Sequence, residues 1–261
     1  MDGATDIGYW DLLTGYGLLI VPLYILWYYK TGLVKDGIIS IGRMTVQLLL
    51  VGVYLEFIFE LNSALVNVLW VIAMIVIAAY TAAKRSGLKL KVMFLPIFIA
   101  GLISLTVTDA YFLGYVIKLE KIFDARYFIP ITGMLIGNSL KTIIIALSYY
   151  FSQLDKERDV YKWYLANGAT RKEALFRFKK ETLKIAFNPV IAATAIVGLI
   201  SLPGMMTGQI LGGSSPNVAI KYQIMLMITV FSSSIFSVMI TILISDRFVF
   251  DGMDNLKKIF S

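Results

Sequence analysis

Neither cysteine nor histidine occurs in the 261 residues. Their absence excludes disulfides, thiol nucleophiles, imidazole bases and the common zinc ligand sets together. Charge is scarce as well: 16% of residues are Asp, Glu, Lys or Arg, against roughly 25% in an average soluble domain. With 58% of residues hydrophobic, a water-soluble fold is not expected. Any reactive or cargo-binding chemistry is left to carboxylates, amides, hydroxyls, Met, Tyr and the backbone. The net charge of +7 comes from bases lying between long apolar runs, so it reads as membrane topology rather than as nucleic-acid binding.

Seven runs are long and apolar enough to cross about 30 Å of hydrocarbon. They cover approximately 9–29, 38–59, 65–83, 92–116, 128–150, 189–211 and 220–245. The first has aromatic residues at both ends and no basic segment before it, so it is expected to be a true span rather than a signal peptide. Asp2 and Asp6 precede it, whereas Lys30 and Lys35 follow; Lys84, Arg85, Lys89 and Lys91 flank the third and fourth runs. The segment 151–188 alone holds nine bases, from Lys156 to Lys184. An outside N-terminus and a cytoplasmic C-terminus place eighteen of the 24 bases inside. The expected fold is therefore an all-α integral membrane protein of about seven transmembrane helices, one unit over 1–261, without linker, repeat or soluble domain.

The cytoplasmic segment 151–188 is too long for a bare turn and has amphipathic composition. Asn167-Gly168 reads as a helix stop, and Thr170-x-x-Glu173 as a capping box, which predicts helix, sharp turn, helix. Leu175, Phe178, Thr182 and Ile185 fall on one face, Phe176 points away from it, and Tyr161, Trp163 and Tyr164 stand just before the turn. Aromatic side chains among Lys and Arg suit a docking element. The same composition suits a helix lying on anionic lipid headgroups.

Several polar residues fall inside the spans. Arg43 and Gln47 share a helix face in the second, where Arg43 can also snorkel to the cytoplasmic end. Asp109 lies toward the outer end of the fourth, where water can reach it. Asn138 and Lys141 lie in the fifth; Lys141 is the deepest and asks for a carboxylate partner that the sequence does not name. Gly133-x-x-x-Gly137, Gly204-x-x-x-Gly208 and Gly208-x-x-x-Gly212 have the spacing of close helix contacts.

In the sixth span, Asn188-Pro189 reads as a helix start and Pro203-Gly204 as a break, leaving about 21 Å of continuous helix to Leu202, too short to cross. Broken helices are frequent at transport sites, and Met205, Met206, Thr207 and Gln209 would lie beside this one. Methionine also fills gaps between helices.

Four stretches carry a family resemblance: Ile129-Pro130-Ile131-Thr132-Gly133-Met134 leading to Gly137-Asn138, the Leu165 to Thr170 turn, Val197 to Gly208 with Leu202-Pro203-Gly204-Met205-Met206, and Ala219 to Ile224. Over about Gly42 to Ser245 the chain resembles FetB-type permeases, the membrane subunits of an iron-export ABC transporter similar to plant aluminium-tolerance half-transporters. The resemblance implies that Asn167 to Phe178 is a coupling helix seated in a groove on a separate cytoplasmic ATPase, with Gly168, Ala169, Glu173 and Phe176 as the coupling residues. Relatives commonly have Leu-Gly-Ala where this chain has Asn167-Gly168-Ala169. It also implies a second copy of the chain, metal-ion export with iron first, residence in the inner (plasma) membrane, and ATP and Mg held by the partner rather than by this chain. In keeping with a separate motor, the sequence has no Gly-x-x-x-x-Gly-Lys-Ser/Thr loop. Closure of the ATPases would tilt the fifth and sixth spans, with Pro203, Gly204, Met205, Met206, Gln209, Asn138, Arg43 and Gln47 as gate or path residues. The metal ligands are unknown; without His or Cys, oxygen ligands and harder ions fit better, and a chelate or organic solute fits equally. An ATP-independent secondary transporter would need mid-depth carboxylates, for which Asp109 is the candidate. A lipid-modifying enzyme would need a cluster of acid, base and nucleophile at one membrane face. A membrane scaffold would leave the break unexplained.

Overall fold

The computed structural model describes residues 8–200, 202–257 and 259–260. Asp2, Asp6, Ser201 and Lys258, used above for topology or resemblance, lie outside them. Helix α1 (Tyr9–Gly15) runs through a 3-10 turn (Tyr16–Leu19) into α2 (Ile20–Tyr28). Then come α3 (Val34–Leu61), α4 (Ala64–Arg85), α5 (Leu90–Asp109), a π-helical turn (Ala110–Val116) and α6 (Ala125–Lys156). The chain ends with α7 (Arg158–Ala166), α8 (Arg171–Ile196), α9 (Gly204–Leu211) and α10 (Pro216–Val249). Isolated extended bridges pair Leu88 with Phe260 and Phe250 with Leu256.

Among the described residues, six helical stretches are long and apolar enough to cross a membrane: Trp10–Tyr28, Val34–Leu61, Ala64–Arg85, Leu90–Val116, Ala125–Lys156 and Pro216–Val249. The remaining expected span, 189–211, is not one helix, and its start is not where Asn188-Pro189 placed it. Helix α8 runs without interruption from Arg171 to Ile196 with Pro189 inside it. Proline removes its own backbone donor, but buried Ala186 and Phe187 before it and Val190 after it pack on the same core and carry the helix through. The break also comes earlier than Pro203. Val197 turns extended and Gly198 takes φ +87°, a left-handed conformation that a Cβ resists. Pro203 then stands as the N-cap of α9.

Helices α4, α5, α6 and α10 form the bundle, with α10 against α5 and α6, and α4 against the same two. Small polar side chains let α5 and α10 approach: Ser104 Oγ and Ser237 Oγ lie 2.7 Å apart, and Ser104 also donates to the Ser233 carbonyl. Gly133 serves the α4–α6 contact, where an added Cβ would come within 2.9 Å of Met74 Cε. Among the described residues, a Cβ added at Gly137, Gly204 or Gly208 would meet nothing within 4 Å, so their spacing serves no close helix contact there. At the end of the bundle away from α7, Asn62 sits at φ 35° after α3; its Oδ1 accepts from Ala125 N, while buried Asn67 donates to the Phe123 carbonyl. These bonds tie the α3–α4 turn to the start of α6. The rest of α3, with α1 and α2, stands beside the bundle with apolar side chains exposed, as suits contact with lipid.

Candidate functional site

Helix α7 closes on a Schellman turn: Gly168 N donates to the Leu165 carbonyl, Ala169 N to the Tyr164 carbonyl, and Gly168 takes φ +86°. Thr170 then opens α8 with a complete capping box. Its N–H and hydroxyl both donate to Glu173 Oε2, at 2.8 and 2.7 Å, and Glu173 N donates back to the Thr170 hydroxyl. Those bonds hold the Glu173 carboxyl below the usual glutamate range. The helix, turn, helix expected from sequence is present.

Of the expected coupling residues, Gly168 and Glu173 are exposed and Ala169 is half-buried. Glu173 is engaged in the cap, so its carboxylate shapes the tip. Phe176 is 67% exposed and Trp163 61%, leaving two large rings bare at the tip. Leu175, Phe178 and Thr182 are buried as expected, but Ile185 is exposed and Ala186 takes its place, because α8 turns its inward face by one residue where it meets the bundle. Tyr161 is not a surface aromatic: it is 2% exposed, packs on Phe250 and donates to the Asp254 carbonyl. Burial, then the Asp254 charge, pushes its phenol up to about 12.

A set of contacts below the tip joins residues remote in the sequence. Lys179 Nζ on α8 lies 2.6 Å from Asp246 Oδ2 on α10, and Asp246 Oδ1 accepts from the buried Tyr150 hydroxyl of α6. One carboxylate thus joins three helices. Beyond α10 the chain turns at Asp251, whose Oδ1 accepts from Met253 N and Asn255 N. It then returns beneath the tip, where Asp254 pairs with Arg171 at 3.0 Å. Ile259 accepts from Lys89 N, tying the same tail to the α4–α5 connection.

Two adjoining cavities flank the break. The larger, roughly 630 Å³, is lined by Val197, Gly198, Leu202, Pro203 and Met206 against Gln223 and Met227 of α10. The smaller, roughly 300 Å³, brings Asn138, Lys141 and Thr142 of α6 to Pro189 and Ser234. Thr194, Met227 and Phe231 line both, so together they form one groove between α6, α8 and α10. Of the expected gate or path residues, Pro203, Met206 and Asn138 line this groove. Met205 packs into the bundle instead, and Gly204 and Gln209 line neither cavity. Arg43 and Gln47 are exposed on α3, apart from the groove. Lys141 lines the groove, and among the described residues no carboxylate pairs with it. Asp109 is not wet: it is buried, accepts from Thr132 at 2.8 Å, and lines neither cavity.

The family model of UPF0014, described as an uncharacterised protein family, matches residues 9–250. The chain belongs to the UPF0014 family. This UPF0014 member is 32% identical over 240 residues to the Probable iron export permease protein FetB of Escherichia coli (strain K12), covering 92% of this chain and 91% of the relative. It is 34% identical over 212 residues to the Protein ALUMINUM SENSITIVE 3 of Arabidopsis thaliana, covering 80% and 76%. To the UPF0014 membrane protein YjkA of Bacillus subtilis (strain 168) it is 31% identical over 241 residues, covering 92% and 94%. The resemblance to FetB-type permeases is borne out by these matches. No solved structure matches the chain.

Proposed function

We propose that this chain is the membrane-spanning permease subunit of an ABC transporter, with the α7–α8 tip docked on a separate cytoplasmic ATPase. Two copies would face each other across the groove, and ATP and Mg would be held by the partner. The carrying observation is the form of the tip: Trp163 and Phe176 are bare at its end, while Lys179, Asp246 and Tyr150 join its helix to α10 and α6. A helix resting on lipid headgroups would not need that connection. Because α8 passes Pro189 unbroken, its 26 residues form a rod of about 39 Å from the tip to the Gly198 break. A displacement of the tip then reaches the groove without an intervening hinge.

In this reading 189–211 is a broken sixth crossing made of the end of α8 and α9, which gives seven crossings, an outside N-terminus and a cytoplasmic C-terminus in the inner or plasma membrane. The open faces of Gly204 and Gly208 suit close contact with the second copy. Metal-ion export, with iron first, is carried over from the name of the Escherichia coli relative.

Gly168→Asp is expected to leave the protein inserted but to abolish stimulation of the partner ATPase in reconstituted vesicles. A side chain at φ +86° strains the turn, and the new charge enters the docking surface. Glu173→Arg opens the capping box at about 1 kcal/mol and is expected to uncouple as well. Unchanged stimulation in both variants would refute docking through this tip.

A further inference from the structure

Lys141 lies near the middle of the 32-residue α6, far from either end of the span. An ammonium at that depth is costly unless it meets water, protein or a counter-charge. Among the described residues no carboxylate pairs with it, and no acid lines either cavity of the groove. Its polar neighbours are neutral, and two of them already spend their hydroxyl protons on their own helices: Thr142 on the Asn138 carbonyl and Thr194 on the Val190 carbonyl. Among the described residues, Lys141 is therefore the one cationic side chain lining a groove that is otherwise mostly apolar.

Such a lining does not suit a bare metal ion, which needs several oxygen or other donor ligands, commonly with carboxylate charge. Among the described residues no cluster of three or more acidic side chains supplies that. It suits the opposite ligand. We propose that the groove binds its cargo as an amphiphilic anion, with the Lys141 ammonium holding the charged head and the larger cavity the apolar body. A metal, where one is carried, then passes inside an anionic chelate. This rests on the reading of the groove as the transport path and names the class of solute that path accepts.

The test uses the full chain, without an ATPase, in nanodiscs of phosphatidylcholine. The probes are tetraphenylborate and tetraphenylphosphonium, which share size and shape but differ in sign. Binding is measured in excess over empty nanodiscs. The expected result is saturable binding of the borate that weakens about tenfold or more in Lys141→Met, persists in Lys141→Arg, and has no counterpart with the phosphonium. Because Lys141→Met removes a charge from mid-membrane, insertion is favoured rather than impaired. As an independent variant, Ile224→Trp is expected to narrow the larger cavity and weaken the borate with Lys141 intact.

Adding phosphatidylglycerol separates the two sources of such an anion. Competition that weakens the borate more in the native chain than in Lys141→Met identifies a bilayer lipid, and equal weakening identifies a water-borne solute. Borate binding that ignores both Lys141→Met and Ile224→Trp, or saturable phosphonium binding that competes with it, would overturn the inference while leaving the ATPase assignment standing. Failure to engage an ATPase would remove that assignment and leave the binding result intact.

Discussion

Asp246→Ala is expected to destabilise the protein by about 3–5 kcal/mol, because it strands Lys179 without its partner in a largely buried site. Lys179 and Asp246 side chains are 19% and 8% exposed, so solvent screens the pair little. The same substitution takes the acceptor from Tyr150, which is fully buried. Lys179→Met together with Asp246→Leu removes both charges and is expected to recover most of the stability, as replacing a buried pair by apolar residues commonly does. ATPase stimulation is expected to stay low in the double variant, since the directional tie between α8 and α10 is gone. Thermal unfolding and stimulated hydrolysis, measured on all three proteins, separate the two effects. A loss below about 1 kcal/mol in Asp246→Ala would mean the pair behaves as a surface bridge and does not weld the helices.

Gly198→Val is expected to abolish transport while assembly persists. At φ +87° a β-branched residue is a severe outlier, and backbone strain of this kind costs on the order of 1–3 kcal/mol. Val at that position favours extending α8 or reshaping the turn, either of which closes the larger cavity that Gly198 and Val197 line. Pro203→Ala with Gly204→Leu perturbs the start of α9 instead and is expected to have the smaller effect. Cargo flux into vesicles, normalised to inserted protein, ranks the two. Full flux in Gly198→Val would show that the break does not shape the path.

The difference between what the sequence foretold here and what it missed follows from the range of the interactions. The tip is legible because its signals are local: Gly168 sits two residues past the end of α7, and Thr170 and Glu173 close their bonds within one turn. Pro189 misled for the opposite reason. Its effect on the helix is a local tendency, and packing of Ala186, Phe187 and Val190 against distant segments overrode it. A break within 189–211 can be read from the shortness of the helix, but its position cannot, since Gly198 carries no mark that separates it from a packing glycine. The tie of Lys179 to Asp246 joins residues far apart in the chain, and only the fold brings them together. Tyr161 looked like a surface ring because the return of the tail through Phe250 and Asp254 was not foreseeable. Lys141 is costly on sequence alone, yet the absence of a carboxylate partner among the described residues depends on what lies across the groove.

The absence of native cysteine makes the most direct test clean. Phe176→Cys and Trp163→Cys, each carrying a short photocrosslinker, are placed in membranes that also contain the candidate ATPase, with Phe236→Cys on the exposed face of α10 as the control. The expected result is an adduct to the nucleotide-hydrolysing subunit from both tip positions, altered by ATP, and none from Phe236→Cys. Membranes that move cargo while neither tip position yields such an adduct would contradict it.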